Sequence, residues 1–293
     1  MFIKRKTKEA ILGYLFVLPA VILIGMFALY PIIRLVIMSF QEYNMLSGDD
    51  IGNFVGFKNY INAFHDNDFL NAFKNTLGFT LIVVPIQSLL AFLSALLVNK
   101  KIKGIGVFRT IYYLPVVMSF VVVSIFWKMI YDPMFGLANS ILNYFGLESQ
   151  KFLANPNQAM ICVIIMCIWK SWGWYMLIFL SGLQGISKDV YEAAAIDGAS
   201  KFEANSYITL PLLKRTILFV CIMTTMDSLK IYTPIHIMTS GGPLGKTDVI
   251  VYHIWQQAFR FNNMGYASAL AVILFIIILL VTIFQLKLEK SDY

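Results

Sequence analysis

Charged residues are scarce in this chain. They make up 13% of its 293 residues, whereas soluble domains carry about 25%. Aliphatic and aromatic residues make up 59%, and they gather in long runs without charge. A single soluble core does not absorb such runs. The scarcity of charge therefore argues against a soluble globular protein and favours a chain embedded in a membrane.

Cysteine and histidine are also scarce. The three cysteines, Cys162, Cys167 and Cys221, fall within apolar segments, and neither a C-x-x-C pair nor a set of closely spaced histidines occurs. The sequence thus has no group with metal-ligand spacing. It also has no H-E-x-x-H motif, no nucleophile elbow and no evident triad. We expect no metal site and no catalytic site, and the net charge of +7 forms no compact patch of the kind that binds nucleic acid.

Six apolar segments are long enough to cross a bilayer, whose hydrocarbon core of about 30 Å needs roughly 20 helical residues. They cover residues 12–38, 76–98, 111–131, 159–183, 216–237 and 268–286. The first follows a basic start, as in a signal peptide, but it is too long for one and has no cleavage site. We expect a single all-α membrane domain over residues 1–293 with six transmembrane helices.

Basic residues between these segments predict the orientation, because Lys and Arg favour cytoplasmic loops. With the N-terminus inside, the fourteen inner residues are Lys4, Arg5, Lys6, Lys8, Lys100, Lys101, Lys103, Arg109, Lys188, Lys201, Lys214, Arg215, Lys287 and Lys290. The five outer residues are Lys58, Lys74, Lys151, Lys246 and Arg260. We therefore expect both termini to be cytoplasmic.

The inner loop over residues 184–215 has the composition of a helical hairpin. Ser187 can cap a first helix at its N-terminus. The pair Asp197-Gly198 would end that helix, because glycine accepts the left-handed conformation. Ser200 then opens a second helix, and Pro211 predicts a break before the fifth span.

This hairpin resembles the EAA loop of the permeases of binding-protein-dependent ABC importers. The pattern is Glu192-Ala193-Ala194, three residues ending in Asp197, then Gly198, nine residues, and Ile208-x-Leu210-Pro211. The resemblance covers nearly the whole chain and is strongest with the first of the two permeases in maltose- and glycerol-phosphate-type importers. It extends to residues 14–32, 57–60, 108–116, 169–170, 239–243 and 258–272.

The resemblance implies a multi-pass subunit of an ATP-driven importer, surrounded by lipid in the cell membrane of a prokaryote. Its implied partners are a second homologous permease in a heterodimer, two copies of an ABC ATPase and an extracytoplasmic solute-binding protein that delivers a sugar. The ATPase would hold ATP and Mg, so this chain would bind no cofactor. The hairpin would dock on the ATPase, with small Ala193 and Ala194 permitting close approach. The chain has no large inserted outer domain, which suggests a compact six-helix form.

Charges within the apolar segments are candidates for the translocation path. Lys170, Asp227 and Lys230 lie near the middle of predicted spans, where each charge costs about 2.5–3.5 kcal/mol. Such groups face a partner or water, so they either form ion pairs that fix packing or line the path. Asp227 and Lys230 are three residues apart and can pair on one helix face.

Aromatic residues close to Lys170 suggest a surface for sugar rings. They are Trp172, Trp174 and Tyr175, and helix packing is the alternative role for all three.

Other functions remain open on the sequence alone. An ion-gradient-driven secondary transporter is one alternative, in which Asp227 would be the ion or proton site. A membrane adaptor without transport activity is another. The segment Gly245-Lys246-Thr247 resembles the end of a phosphate-binding loop, but Ser240 stands where the first glycine is required. We therefore expect a turn-rich outer loop there and no nucleotide site.

Overall fold

The computed structural model describes residues 2–44, 46, 52–100 and 104–290. Some residues of the charge count lie outside the described residues. They are Lys101 and Lys103 entirely, and Lys4, Arg5, Lys6, Lys8 and Lys290 in their side chains. The fold is all-α, with a single two-stranded sheet among the described residues.

The α-helices are α1 Phe2–Ile24, α2 Tyr30–Ser39, α3 Lys58–His65, α4 Asn67–Val98, α5 Ile105–Val117, α6 Phe120–Ile130, α7 Leu137–Tyr144, α8 Ala159–Gln184, α9 Lys188–Ile196, α10 Lys201–Ala204, α11 Leu210–Leu212, α12 Lys214–Leu229, α13 Ile250–Trp255 and α14 Met264–Lys290. The strands are β1 Gln41–Glu42 and β2 Asn53–Phe54. Short π-helices cover Gly25–Leu29, Asn205–Thr209, Ile235–Thr239 and Gln256–Arg260, and a 3-10 helix covers Phe152–Ala154.

Four helices in the described part of the chain are long and apolar enough to cross a membrane, or up to six if each of two bent helix pairs is one span. The four are Leu12–Ser39, Asn67–Val98, Ala159–Gln184 and Met264–Lys287. They match four of the six predicted segments. The chief difference is that α4 begins nine residues earlier than predicted. Asp66 caps its first turn by accepting hydrogen bonds from the backbone N–H groups of Asp68 and Phe69.

The third predicted span is not one straight helix. Its residues belong to α5 and α6, which meet at an angle of 96° across Met118–Ser119. Ser119 caps α6 by accepting from the Val121 N–H. Pro115 lies in the last turn of α5, where it has no N–H to donate to the carbonyl of residue 111.

The fifth predicted span also ends early. Helix α12 stops at Leu229, eight residues before the expected end. Residues 230–232 have no regular structure, and a short helical turn at residues 233–234 leads into the Ile235–Thr239 π-helix. The break before this span is real but falls at Leu213, two residues after Pro211. There the helical run Lys201–Leu212 meets α12 at 69°.

Two prolines are tolerated within helical runs because a π-helix precedes each of them. Gly25–Leu29 precedes Pro31, and Asn205–Thr209 precedes Pro211. A proline ring clashes with the carbonyl four residues earlier. The wider π-turn relieves that clash and lets the run continue.

The described residues group into two compact units. One comprises the residues up to His65 together with Ile254–Leu274. Within it, β1 and β2 pair antiparallel, with Gln41 opposite Phe54. The buried Asn59 side chain donates to the carbonyl oxygens of Ser39 and Gln41 at 3.0 and 2.9 Å. A Cβ on Gly265 would collide with the Gln41 carbonyl, so this glycine lets α14 begin against β1.

The second unit comprises Asp66–His253 and the residues from Phe275. Its core lies where α4, α8 and α12 meet. The buried residues there are Ala91, Ala95, Val98, Tyr175, Met176, Phe179, Leu180, Leu183, Leu213 and Val220. Alanines on α4 face large residues on α8, so the two long helices approach closely.

A close approach also joins α5 to α8. A Cβ on Gly173 would fall on the Tyr112 carbonyl oxygen, and a backbone atom cannot swing aside as a side chain can. Gly173 is therefore required for α5 to pack as it does.

The first prediction concerns Gly173. Gly173→Ala should lower the melting temperature of the purified protein in detergent, because overpacking costs about 1–3 kcal/mol. Gly78→Ala is the matched control, since Gly78 lies within α4 and a Cβ there would meet nothing within 4 Å. Alanine is favoured over glycine in helices by about 1 kcal/mol, so the control should be neutral or stabilised. Equal melting temperatures for the two variants would contradict the assigned contact.

Candidate translocation path and coupling hairpin

A cavity of about 270 Å³ lies within the second unit. Helix α4 contributes Phe79, Val83 and Gln87, helix α6 contributes Phe120, and helix α8 contributes Cys167 and Ser171. The other lining residues, from α12 and the chain after it, are Thr224, Asp227, Ser228, Lys230, Ile231, Tyr232, Thr233 and Pro234. The lining combines aromatic surface with hydroxyl, amide and charged groups, which is the composition of a site for a polar ligand with apolar faces.

Two of the residues singled out in the sequence line this cavity, namely Asp227 and Lys230. The sequence leaves open an ion pair between them, but none of the ion pairs among the described residues joins these two, and Asp227 accepts a hydrogen bond from the Tyr175 hydroxyl at 2.6 Å. Tyr175 is only 1% exposed. It therefore holds the Asp227 carboxylate across the α8–α12 interface and does not itself line the cavity.

Lys170 was a candidate for the path, but it lies outside the cavity lining. Its side chain is buried, with 5% of the residue exposed. Nζ donates to the Val116 carbonyl oxygen at 2.9 Å, near the end of α5. The structure thus pairs this charge with backbone at the α5–α6 break.

The two tryptophans near Lys170 pack against α5. Trp172 lies 5.1 Å from Tyr112 between ring centroids, and Trp174 stacks with Tyr113 at 6.5 Å. Neither lines the cavity. The aromatic residues that do are Phe79, Phe120 and Tyr232, which the sequence reasoning missed. No local signal marks them, because they come from three separate elements.

The hairpin has the predicted capping residues. Ser187 accepts a hydrogen bond from the Asp189 N–H at the start of α9, and Gly198 has φ +82°. Ser200 and Glu203 form a capping box at α10, with the Ser200 N–H donating to the Glu203 carboxylate at 2.8 Å. Ser200 lowers the pKa of the Glu203 carboxyl group. The larger effect comes from the Ser200 side chain and the smaller from its backbone N–H.

Most of the predicted docking residues of the hairpin are exposed. Glu192, Ala193, Asp197, Gly198, Leu210 and Pro211 are exposed, while Ala194 and Ile208 are half-buried. The Tyr191 hydroxyl lies 2.9 Å from Thr209 Oγ1. This hydrogen bond ties the first helix of the hairpin to the second, so the two arms are held together.

Two large apolar side chains flank the Gly198 turn, and the motif did not single them out. Ile196 is 87% exposed and Phe202 is 79% exposed. Apolar side chains of this size at the tip of a polar hairpin are typical of the central residues of a protein interface.

The Gly245-Lys246-Thr247 segment forms part of a tight loop, as expected. Thr247 is fully buried, and its hydroxyl donates to the Gly242 carbonyl oxygen at 2.6 Å. Helix α4 holds this loop, since the Asn75 amide donates to the carbonyl oxygens of Gly245 and Asp248. The threonine hydroxyl is thus committed to the loop itself.

A buried histidine stands beside that loop. His253 Nδ1 lies 3.2 Å from Asp248 and Nε2 lies 3.7 Å from Asp66. Within the described ranges, no group of three or more His, Cys, Asp or Glu residues is arranged to hold a metal ion.

Comparison with known protein families gives a match over most of the chain. Residues 62–291 match the family described as binding-protein-dependent transport system inner membrane component.

Individual relatives match over almost the whole chain. The trehalose/maltose transport system permease protein MalF of Thermococcus litoralis is 33% identical over 98% of this chain and 96% of its own length. The arabinooligosaccharides transport system permease protein AraP of Bacillus subtilis is 35% identical over 95% of this chain and 88% of its own.

Solved structures agree with the fold. A bacterial ABC transporter involved in import of the acidic polysaccharide alginate matches with a TM-score of 0.88 and 25% identity, covering 100% of this chain and 99% of the other. The bacterial alginate transporter in complex with a periplasmic protein carrying alginate pentasaccharide matches with a TM-score of 0.85 and 26% identity, covering 96% and 94%. With the family match over most of its length, this chain belongs to the membrane components of binding-protein-dependent ABC importers.

Proposed function

We propose that this chain translocates a sugar or oligosaccharide that an extracytoplasmic binding protein delivers. The cavity between α4, α6, α8 and α12 carries the proposal. Its hydroxyl, amide and carboxylate groups suit the hydroxyls of a carbohydrate, and its aromatic rings suit the apolar faces of sugar rings. The carbohydrate-importing relatives support this cargo class.

In this proposal the chain works as half of a membrane pair. A second homologous permease completes the path as a heterodimer, and two ATPase copies bind on the inner side. Both termini and the 184–215 hairpin face the cytoplasm of a prokaryote, in keeping with the bias of Lys and Arg. ATP and Mg belong to the ATPase, and hydrolysis takes place there. Lipid surrounds the exposed apolar faces of the outer helices.

The hairpin transmits the motion of the ATPase in this mechanism. Ile196 and Phe202 insert into an apolar groove of the ATPase, while Glu192 and Asp197 meet basic groups at its rim. Small Ala193 lets the first helix approach closely. Nucleotide and loaded binding protein each stabilise one state of the bundle, which is the requirement for switching between inward- and outward-facing forms.

An ion-gradient-driven secondary transporter is not favoured, because the chain matches a family of binding-protein-dependent transport components. The hydrogen bond of Asp227 also fits a cargo site better than a proton site. The buried Tyr175 hydroxyl holds the Asp227 carboxylate in place, and Asp227 lines the cavity.

The second prediction tests the docking of the hairpin. Replacing Ile196 and Phe202 together by Ala should weaken binding of the cognate ATPase. Each aromatic or aliphatic anchor is worth about 2 kcal/mol, which is roughly 30-fold in affinity, so the double variant should lose at least that much. Co-purification and ATP-driven uptake measure the loss. Tyr144→Ala is the matched control, because Tyr144 is 85% exposed on α7, on the side assigned to the exterior.

Unchanged assembly of the double variant, or equal loss in the Tyr144 control, would defeat the docking model. A melting curve of each variant in detergent checks that the bundle itself is intact.

The third prediction tests the path. Asp227→Asn keeps the size and the acceptor for Tyr175 but removes the charge, and we expect uptake of a radiolabelled oligosaccharide to fall at least tenfold. Tyr175→Phe keeps the carboxylate and should lose less. Thr80→Val is the control, because Thr80 is buried on α4, its hydroxyl has no hydrogen-bond partner among the described residues, and it does not line the cavity.

Greater loss in Tyr175→Phe than in Asp227→Asn would assign Asp227 to packing and remove it from the path.

A further inference from the structure

Lys170 and Phe120 lie side by side at the break between α5 and α6. We propose that Lys170 is a positioning residue that holds the Phe120 ring in the cavity wall, and that Phe120 thereby controls access to the cavity interior. The proposal rests on the proposed function only in taking this cavity as part of the cargo path.

The first contact is with the end of α5. In an unbroken helix the Val116 carbonyl would accept from the backbone N–H of residue 120. The 96° bend separates the two helices, and the carbonyl accepts from Lys170 Nζ at 2.9 Å instead. A buried carbonyl without a donor is costly, above all where no water is at hand. Lys170 therefore stabilises the broken form of this helix pair.

The second contact is with the start of α6. Lys170 Nζ lies 4.6 Å from the centroid of the Phe120 ring, within the range of cation–π attraction. Phe120 is the first residue of α6. One ammonium group thus holds the last turn of α5 and the first side chain of α6, and so sets where the ring stands.

The ring borders the cavity whereas the lysine does not. Phe120 shares the lining with Cys167 and Ser171 of α8, which flank Lys170 in the sequence, and with Asp227 of α12. Lys170 occupies one face of the ring, so the surface left toward the cavity is the opposite face or the edge. Any effect of Lys170 on cargo therefore passes through Phe120, which offers aromatic surface to the apolar face of a sugar ring.

Cys167 provides a built-in probe of the wall, because it lines the cavity and is only 5% exposed. With Cys162→Ser and Cys221→Ser, Cys167 is the one remaining thiol of the chain. The assembled complex is treated in proteoliposomes with 2-aminoethyl methanethiosulfonate, and mass spectrometry of this chain follows the rate of modification.

We expect Lys170→Met, which is similar in length but lacks donor and charge, to raise the rate at least tenfold. Lys170→Arg keeps donor and charge and should stay within twofold of the parent. Phe120→Ala should match Lys170→Met, and the double variant should react no faster than Phe120→Ala alone. Trp174→Leu, on the same helix but outside the cavity, is the control for general loosening of α8 and should leave the rate unchanged.

An unchanged rate in folded Lys170→Met would overturn the proposal. The proposal would also fail if Cys167 reacted as fast in Lys170→Arg as in Lys170→Met. It would fail again if the rate increases of Lys170→Met and Phe120→Ala multiplied in the double variant, because independent effects would show that Lys170 does not act through Phe120. If Lys170→Met does not assemble, Lys170→Gln removes the charge and hence the cation–π contact while keeping an amide donor, and it should still raise the rate. Phe120→Ala then measures the exposure of Cys167 without any change at Lys170. The measurement needs neither sugar nor ATP, so a negative result would leave the proposed function standing. Conversely, a loss of uptake in a variant whose Cys167 still reacts slowly would count against the proposed function and not against the role of Lys170.

Discussion

The absence of water in the hydrocarbon core constrains this structure more than any other factor. Every backbone carbonyl released by a helix break there must find a donor within the protein. Val116 shows the constraint directly, because a lysine 54 residues away supplies the donor. In intact helices the same lack of water acts on side-chain hydroxyls, and those of Thr224 and Thr225 donate to carbonyl oxygens one turn earlier. At the break between α5 and α6, a polar side chain on α8 meets this requirement.

The breaks create the cavity. Straight, fully packed helices would fill the space between α4, α8 and α12 with side chains, as they do around Tyr175 and Phe179. The bend between α5 and α6 instead brings Phe120 to the edge of this space, and the early end of α12 leaves an irregular stretch that begins at Lys230. Polar groups can line the space because irregular backbone is tolerated where it borders a cavity. The packed core and the cavity thus occupy successive parts of the same three helices.

The features that the sequence predicts well are those that depend on neighbouring residues. The caps at Ser187 and Ser200 and the turn at Gly198 are local, and the structure has all three. The long apolar helices follow from length and composition alone. The bend at Met118–Ser119 was not predicted, because the run is apolar throughout and the decisive donor lies on another helix. The aromatic lining was missed for the same reason, and Trp172 and Trp174, although close to Lys170 in sequence, turn toward α5.

The junction between hairpin and bundle decides where a push on the hairpin would go. Leu213, at the 69° bend, is 1% exposed and belongs to the core where α4, α8 and α12 meet. Gly182 of α8 approaches so closely that a Cβ there would lie 2.8 Å from both Leu213 and Thr216. Because packed interiors transmit displacement with little compression, motion of the hairpin cannot swing α12 alone. In the proposed coupling, motion of the hairpin must therefore carry α8 as well. Lys170 lies on α8, so Lys170 and the Phe120 ring that it is proposed to position would move with it.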